Sequence, residues 1–305
     1  MDLSIVIVNW NTRELLLDCL ASVYALVKEV RFEVFLVDNA SSDGSVEAVR
    51  AQYPQVIVIQ NEKNLGFAAA NNKALRVMQG KYALLLNTDA IVTEGAIAKL
   101  FGYMESHGDV AMACGQLLNA DGTKQNSIAN FPSLLTLLAN ETLLRILMPK
   151  QFPSKRQDYP APIAVESCIG ACLMVRKAAM DAVGLLDERY FFFMEETDWA
   201  FAMHRAGWKS CLVPEAQIYH LQGQSAGHNV RARIMFYRAR YQYFRKWFPR
   251  IWPLHALLLV VRLIINALLN SLGLILTLGL HGGIRGRLAL YLQLLLWHVR
   301  GCPQA

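Results

Sequence analysis

The sequence predicts an α/β fold: a Rossmann-like, mostly parallel sheet flanked by helices, followed by a C-terminal apolar helical segment associated with a membrane. Three observations carry this. Over the first 115 residues, short apolar runs alternate with amphipathic stretches, the pattern of strands crossing over through helices. Each strand-like run ends on polar residues, where open α/β sheets bind ligands. Beyond Glu215 the chain turns basic and apolar, with eleven Lys and Arg and no Asp or Glu. The 305 residues suffice for one large domain or one and a half.

The elements follow from the pattern of apolar residues. Leu3–Val8 reads as a strand, and Thr12 is placed to cap a helix running to about Lys28. Phe32–Val37 and Val56–Ile59 are the next strands, with the polar loop 38–44 opening a short helix between them. Asn64-Leu65-Gly66-Phe67 begins a helix over Ala68–Met78. Tyr82–Leu86 is a fourth strand, Glu94–Ser106 a helix and Val110–Cys114 a fifth strand. Asn119-Ala120-Asp121-Gly122 signals a hairpin turn. The proline-bearing stretch Met148–Pro162 reads as a loop. Ala171–Val175, Ser210–Val213 and Gln217–His220 read as strands and Glu195–Arg205 as a helix. The resulting division is a domain over 1–225 (halves 1–115 and 116–225), a basic helix over 226–250 and apolar helices over 251–305.

Candidate chemistry gathers at the strand ends. Asn87-Thr88-Asp89 follows a fully apolar strand. A carboxylate there, with an amide two residues earlier, suits a divalent cation held against a diphosphate, because Mg²⁺ and Mn²⁺ take few protein carboxylates and complete their shell with phosphate oxygens. The same residues also serve as turn formers and helix caps. Val8-Asn9, Asp38, Asn64 with Gly66, and Asn87 with Asp89 would share one rim. Helix N-termini and glycine turns suit phosphate, and a carboxylate such as Asp38 suits a ribose or base N–H. With no Gly-x-Gly-x-x-Gly and no P-loop lysine, a sugar nucleotide fits better than a dinucleotide or ATP.

Several stretches together resemble family-2 glycosyltransferases of the GT-A fold, in the bacterial rhamnosyltransferase-like branch. These are Val6-Ile7-Val8-Asn9-Trp10-Asn11, Val37–Ser45, Asn64–Asn72, Leu85–Ala90 and Phe193–Trp208, in the family's order across residues 3–248. The resemblance implies that Val8, Asn9 and Asp38 hold the base and ribose, with Asn64 and Asn71 nearby. It implies that Asp89 is the surviving acid of the Asp-x-Asp metal motif, whose first position here is Asn87, a weaker and uncharged ligand. His220, ending a short strand, matches the family histidine that joins the metal or diphosphate site. The implied cofactor is a divalent cation, Mg²⁺ or Mn²⁺.

Glu195-Glu196-Thr197-Asp198 puts three carboxylates in the first turn of a helix, where the dipole favours them ionised and at least one is expected to cap. An inverting glycosyl transfer needs one general base for the acceptor hydroxyl. The family's Glu-Asp pair aligns with Glu195-Glu196, so Glu196 is the expected base, Glu195 the runner-up and Asp198 an orienting neighbour.

In the basic segment, a helix over His228–Phe248 carries Tyr237, Tyr241, Phe244 and Phe248 on one face, read as packing against the body. Arg231, Arg238 and Arg245 lie on another face, where guanidinium forks suit pyrophosphate. Leu254–Leu280 holds only Arg262 as a charge. It passes the length test for a membrane span, with an interfacial helix or a buried helical pair as alternatives. Basic residues interleaved with leucines point to an anionic membrane surface rather than nucleic acid. The N-terminus lacks the marks of a secretory signal, and the six scattered cysteines read as free thiols. The expectation is a membrane-associated enzyme at the cytoplasmic face of a bacterial inner membrane. It would move a sugar, with rhamnose as candidate, from a nucleotide-diphosphate sugar donor to a glycan or polyprenyl-linked acceptor. A nucleotidyltransferase would need a Gly-rich, Lys- or Arg-bearing loop after the first strand, and Asn9–Thr12 is not one. A non-catalytic membrane adaptor would show no metal-dependent stabilisation by a nucleoside diphosphate.

Overall fold

Strand β1 (Leu3–Asn9) is buried along almost its whole length, as an apolar β-branched run in the middle of a parallel sheet should be. Around it the chain winds as α1 (Arg13–Leu26), β2 (Phe32–Asp38), α2 (Ser45–Gln52), β3 (Ile57–Gln60), α3 (Phe67–Leu75), β4 (Tyr82–Asn87), β5 (Ala90–Val92), α4 (Ala96–Ser106) and β6 (Val110–Leu118). There follow β7 (Ile128–Ala129), α5 (Leu134–Leu138), α6 (Glu141–Leu147), β8 (Ile163–Val165), β9 (Ser167–Cys168), β10 (Cys172–Arg176), α7 (Lys177–Val183), α8 (Glu195–Arg205) and β11 (Lys209–His220). Three long helices end the chain: α9 (Val230–Trp247), α10 (Trp252–Leu276) and α11 (Gly282–Val299). The computed structural model describes residues 1–154, 157–221, 230–278 and 280–302. The expected boundary at 225 and the helix start at His228 lie outside them.

The chain forms two compact units, Met1–Phe131 with Glu141–Gly223, and Pro132–Asn140 with Gln224–Ala305. In the first, the central sheet has the order β3-β2-β1-β4-β10-β6-β11-β5, with β8 pairing β11. The pairs β3–β2, β2–β1, β1–β4 and β6–β11 are parallel. Strand β10 runs antiparallel between β4 and β6. Apolar side chains fill both faces of the sheet.

The structure revises two local expectations. Ser210–Val213 and Gln217–His220 are one strand, β11, whose register against β6 shifts between Val213 and Gln217. Gly115 makes room for that irregularity: a Cβ there would stand 2.2 Å from Ala216 O. Thr12 occupies the position before α1, but its hydroxyl makes no capping bond. It donates to Asn9 Oδ1 at 2.7 Å instead. The turn at Asn119–Gly122 forms as expected, with Gly122 N–H donating to Asn119 O. All six cysteines are free, five of them buried.

At the end of the sheet where β4 begins, the buried Arg176 guanidinium ties elements together. It donates to Val110 O at 2.8 Å, Met104 O at 2.6 Å, His107 O at 2.9 Å and Tyr82 Oη at 3.0 Å. Two of these carbonyls belong to the last turn and cap of α4, which have no intrahelical donor. Arg176→Met keeps the apolar stem but removes the guanidinium donors from these groups, leaving His107 O only its bond from Val110 N–H. It is expected to cost about 3 kcal/mol, read as a lower urea midpoint at constant m.

The second unit is helical. Tyr241, Leu259, Leu263, Leu294, Trp297 and Leu137 form its core, with Tyr237 packed against them. Tyr237 and Tyr241 therefore pack within this unit, a correction to the reading of their stripe as facing the body. Helix α10 is long and apolar enough to cross a membrane, and only 17% of its apolar window is buried. That exposure argues against a buried soluble pair.

Candidate active site

Backbone register lines up the polar residues at the carboxyl rim. Val8 pairs with Asn87, Asn9 with Asp38, and Asp38 with Gln60. Asn9 and Asp38 are both buried. Asn9 Nδ2 donates to Asp38 Oδ1 at 2.9 Å and to Ser41 Oγ at 2.9 Å, while Ser41 N–H donates to Asp38 Oδ2. The ends of β1 and β2 are thus locked together by side chains.

The next corner is organised by Asn39, which sequence reasoning passed over although it adjoins Asp38. Asn39 Oδ1 accepts from Asn61 Nδ2 and Leu65 N–H, and its Nδ2 donates to Gly66 O. Asn64 Oδ1 accepts from Gly66 N–H at 2.9 Å, a local turn. Asn71 is buried, and its amide donates to Phe67 O one turn back in α3. The neighbouring Asn72 donates to Leu186 O and to Glu188 Oε1, holding α3 to the segment before α8.

Gly66 joins this corner to the acidic helix. Its φ is +82°, and a Cβ would lie 2.2 Å from Phe191 O. Phe67 N–H donates to the same carbonyl at 2.9 Å. Gly66→Ala combines a left-handed backbone with a backbone clash. It is expected to cost about 2–4 kcal/mol, measured by chemical denaturation.

Phe191 leads directly into α8. Phe193 and Met194 both have positive φ, a tight loop that sets the helix start. Glu195 is buried and its Oε2 has no hydrogen-bond partner among the described residues. Glu196 is half-buried. Asp198 is buried and accepts from Tyr190 Oη at 3.1 Å. None of the three acids occupies the cap position, which is Met194. Burial opposes the helix terminus, which was expected to keep the base carboxylate ionised. Burial pushes the Glu196 carboxyl up to about 7, with the backbone N–H groups of Glu196 and Thr197 drawing it part of the way back. Burial first, and then the nearby Glu196 charge, holds Glu195 well above the ordinary range.

At the other end of the rim, β5 carries the chain from β4 to β11. His220 pairs with Ala90, and Leu221 N–H donates to Asp89 O. This closure puts His220 Nε2 3.3 Å from Asp89 Oδ1 and 3.5 Å from Asn87 Nδ2. Gln125 fixes the ring. Its Nε2 donates to Asn119 Oδ1 and His220 O, so its Oε1, 2.5 Å from Nδ1, must accept the Nδ1 proton. Nε2 then faces a carboxylate. A neutral imidazole would direct its lone pair at that carboxylate, an arrangement made favourable by a shared proton or a bound cation. Among the described residues no group of three or more His, Cys, Asp and Glu converges. A cation held here would have to take most of its ligands from substrate oxygens. Gln125 carried no signal in the sequence, since nothing local tells which residue will meet a histidine 95 positions later.

Comparison with known proteins gives the family and the fold. The model for glycosyl transferase family 2 matches residues 4–184. The chain belongs to glycosyl transferase family 2. This glycosyltransferase is rhamnosyltransferase-like: it is 31% identical over 226 residues to the N-acetylglucosaminyl-diphospho-decaprenol L-rhamnosyltransferase of Mycobacterium tuberculosis, covering 69% of this chain and 73% of the relative. It is 25% identical over 208 residues to a low-salt glycan biosynthesis hexosyltransferase of Haloferax volcanii, covering 67% and 62%. In fold it is GT-A. It resembles the mannosyltransferase of Pyrobaculum calidifontis, solved with GDP-Man and Mn²⁺, at a TM-score of 0.61 and 17% identity over 97% of this chain and 87% of that one. GalNAc-T7, solved with UDP, GalNAc and Mn²⁺, matches at a TM-score of 0.61 and 16% identity. That match covers 82% of this chain and about half (48%) of that one. Both of these neighbours were thus solved with Mn²⁺.

Proposed function

We propose that this glycosyltransferase inverts the anomeric centre as it moves a sugar, rhamnose being the leading candidate, from a nucleotide diphosphate to a lipid-linked glycan. The observation that carries the proposal is the meeting of Asp89, Asn87 and His220 at the strand rim. In this reading Val8, Asn9 and Asp38 shape the base and ribose site, and Asn64 and Gly66 shape the loop beside it. Asn71 acts through α3, because its amide is already used inside that helix. Asp89 and His220, with Asn87 as a weaker helper, would hold Mg²⁺ or Mn²⁺. A cation bound there would supply positive charge to the departing diphosphate.

Glu196 is the base rather than Glu195, because it is the more accessible of the two and its carboxyl sits near neutrality. It takes the proton of the acceptor hydroxyl as the oxygen bonds to the anomeric carbon and the bond from that carbon to the diphosphate oxygen breaks. Glu195, buried and held neutral, supports the charge state of its neighbour. Asp198, bonded to Tyr190, orients the helix start. The relative's decaprenol-linked activity and the exposed apolar α10 support an acceptor and an enzyme at a membrane surface, at the cytoplasmic face where nucleotide sugars are made. The test is nucleotide release from a panel of nucleotide sugars by membranes bearing the protein, with Mn²⁺ or Mg²⁺. Release that requires both metal and a lipid-linked acceptor is expected; none with any donor would sink the proposal.

A further inference from the structure

The helical unit contains a cavity of about 260 Å³ that the catalytic reading leaves unused. Arg233 and Arg240 of α9 and Arg262 of α10 line it, with Tyr237, Asn266 and Tyr291 supplying further polar groups. Arg231 and Arg238, which the sequence suggested for pyrophosphate, are not among its lining residues. Arg233 and Arg240 lie seven residues apart, two turns of α9, and so share one face.

Its electrostatics are unbalanced. No Asp or Glu occurs in residues 132–140 or after Glu215, so the unit has no acidic side chain to answer its arginines. Arg240 Nε donates to His255 Nε2 at 2.9 Å, yet its Nη2 is buried with no partner among the described residues. Burial, and then the nearby Arg262, pull the Arg240 guanidinium down to about 10. Arg262 donates one Nη1 bond to Leu137 O at the end of α5. Three guanidiniums around a cavity with an unsatisfied buried N–H form an anion site whose anion comes from outside the unit.

The surroundings select the carrier of that anion. Along α10, Leu257, Val261, Ile264, Leu268, Leu272 and Ile275 are exposed at the i, i+3, i+4 spacing of one helix face. That face suits hydrocarbon. Three positive charges are matched better by a diphosphate than by the single charge of a phospholipid diester.

We propose that this cavity binds the diphosphate of a prenyl-type lipid, the three arginines clamping the phosphates while the chain lies on apolar α10. The proposal deepens the lipid-linked acceptor reading and rests on it for the identity of the lipid. Farnesyl diphosphate is the probe, titrated against the full chain in neutral detergent by thermal shift. Arg233→Gln and Arg262→Gln alter exposed side chains, so folding is expected to survive, with helix content by circular dichroism as control. Arg240→Gln is the third variant. Each variant is expected to weaken farnesyl diphosphate about tenfold. Farnesol is expected not to bind. Phosphatidylglycerol in mixed micelles and inorganic pyrophosphate are expected to compete poorly. Unchanged affinity in both exposed-arginine variants overturns the proposal. So does equal competition by phosphatidylglycerol, which marks a general anionic surface, or by pyrophosphate, which marks a free-phosphate site. Nucleotide release on the same preparation separates the two readings. Arginine-dependent binding without release removes the glycosyl-transfer mechanism, whereas release with arginine-independent binding removes only this site.

Discussion

Glutamine at position 196 is expected to lower kcat about 10³-fold while the fold persists, as loss of a general base does. The amide keeps the size of the carboxylate but cannot take the acceptor's proton. The pH profile distinguishes this from simple disruption. With the Glu196 carboxyl raised to about 7 by burial, kcat/KM of the wild type should climb with pH through that value and level off above it. In Glu196→Gln the residual rate should lose that limb. Stability should move the opposite way. A carboxyl raised from 4.5 to about 7 on folding makes the native state bind more protons than the unfolded state across that window. Stability therefore falls as pH rises from about 4.5 to 7. Glu196→Gln should flatten that dependence in a Tm-versus-pH series. A wild-type rate in the variant would remove Glu196 from the chemistry, and Glu195→Gln would then be the next variant to measure.

Asp89→Ala should be comparably severe, lowering kcat/KM by about 10³-fold, since a cation on a developing diphosphate contributes several kcal/mol and each 1.36 kcal/mol is a factor of ten. The fold should be spared. What holds this corner is the Asp89 backbone carbonyl, which accepts from Leu221 N–H, and the β5–β11 pairing, neither of which uses the carboxylate. The direct measurement is thermal stabilisation by a nucleoside diphosphate with and without Mn²⁺. The wild type should be stabilised only when both are present, and Asp89→Ala should lose the metal-dependent part. Equal metal-dependent stabilisation in the variant would place the cation elsewhere.

Much of the fold was legible in the chain. Buried parallel strands advertise themselves as continuous apolar runs, so β1, β2, β4 and β6 could be found from the pattern of apolar residues, within a few residues of their ends. The rim residues Asn9, Asp38, Asn87 and Asp89 were legible too, because each directly follows such a run. Glu195 and Glu196 were visible as an acidic cluster. Their charge state was not, since it depends on what buries them, and burial outweighed the helix dipole that local reasoning had favoured.

The sequence by itself determined the order of the main strands and helices over the first 115 residues, the acidic helix near residue 195, and that the last ninety residues would carry positive charge without a single acid. These are properties of neighbouring residues and of totals, so periodicity and counting suffice. Only the tertiary structure decided that β10 runs backwards between β4 and β6, that β11 is one strand bent past Gly115, and that His220 meets Asp89 with Gln125 behind it. Only it chose Arg233, Arg240 and Arg262 over Arg231 and Arg238 to line the cavity. Each of these depends on strand pairing or helix rotation between segments far apart in the chain, where register, rather than local propensity, settles which side chains face one another.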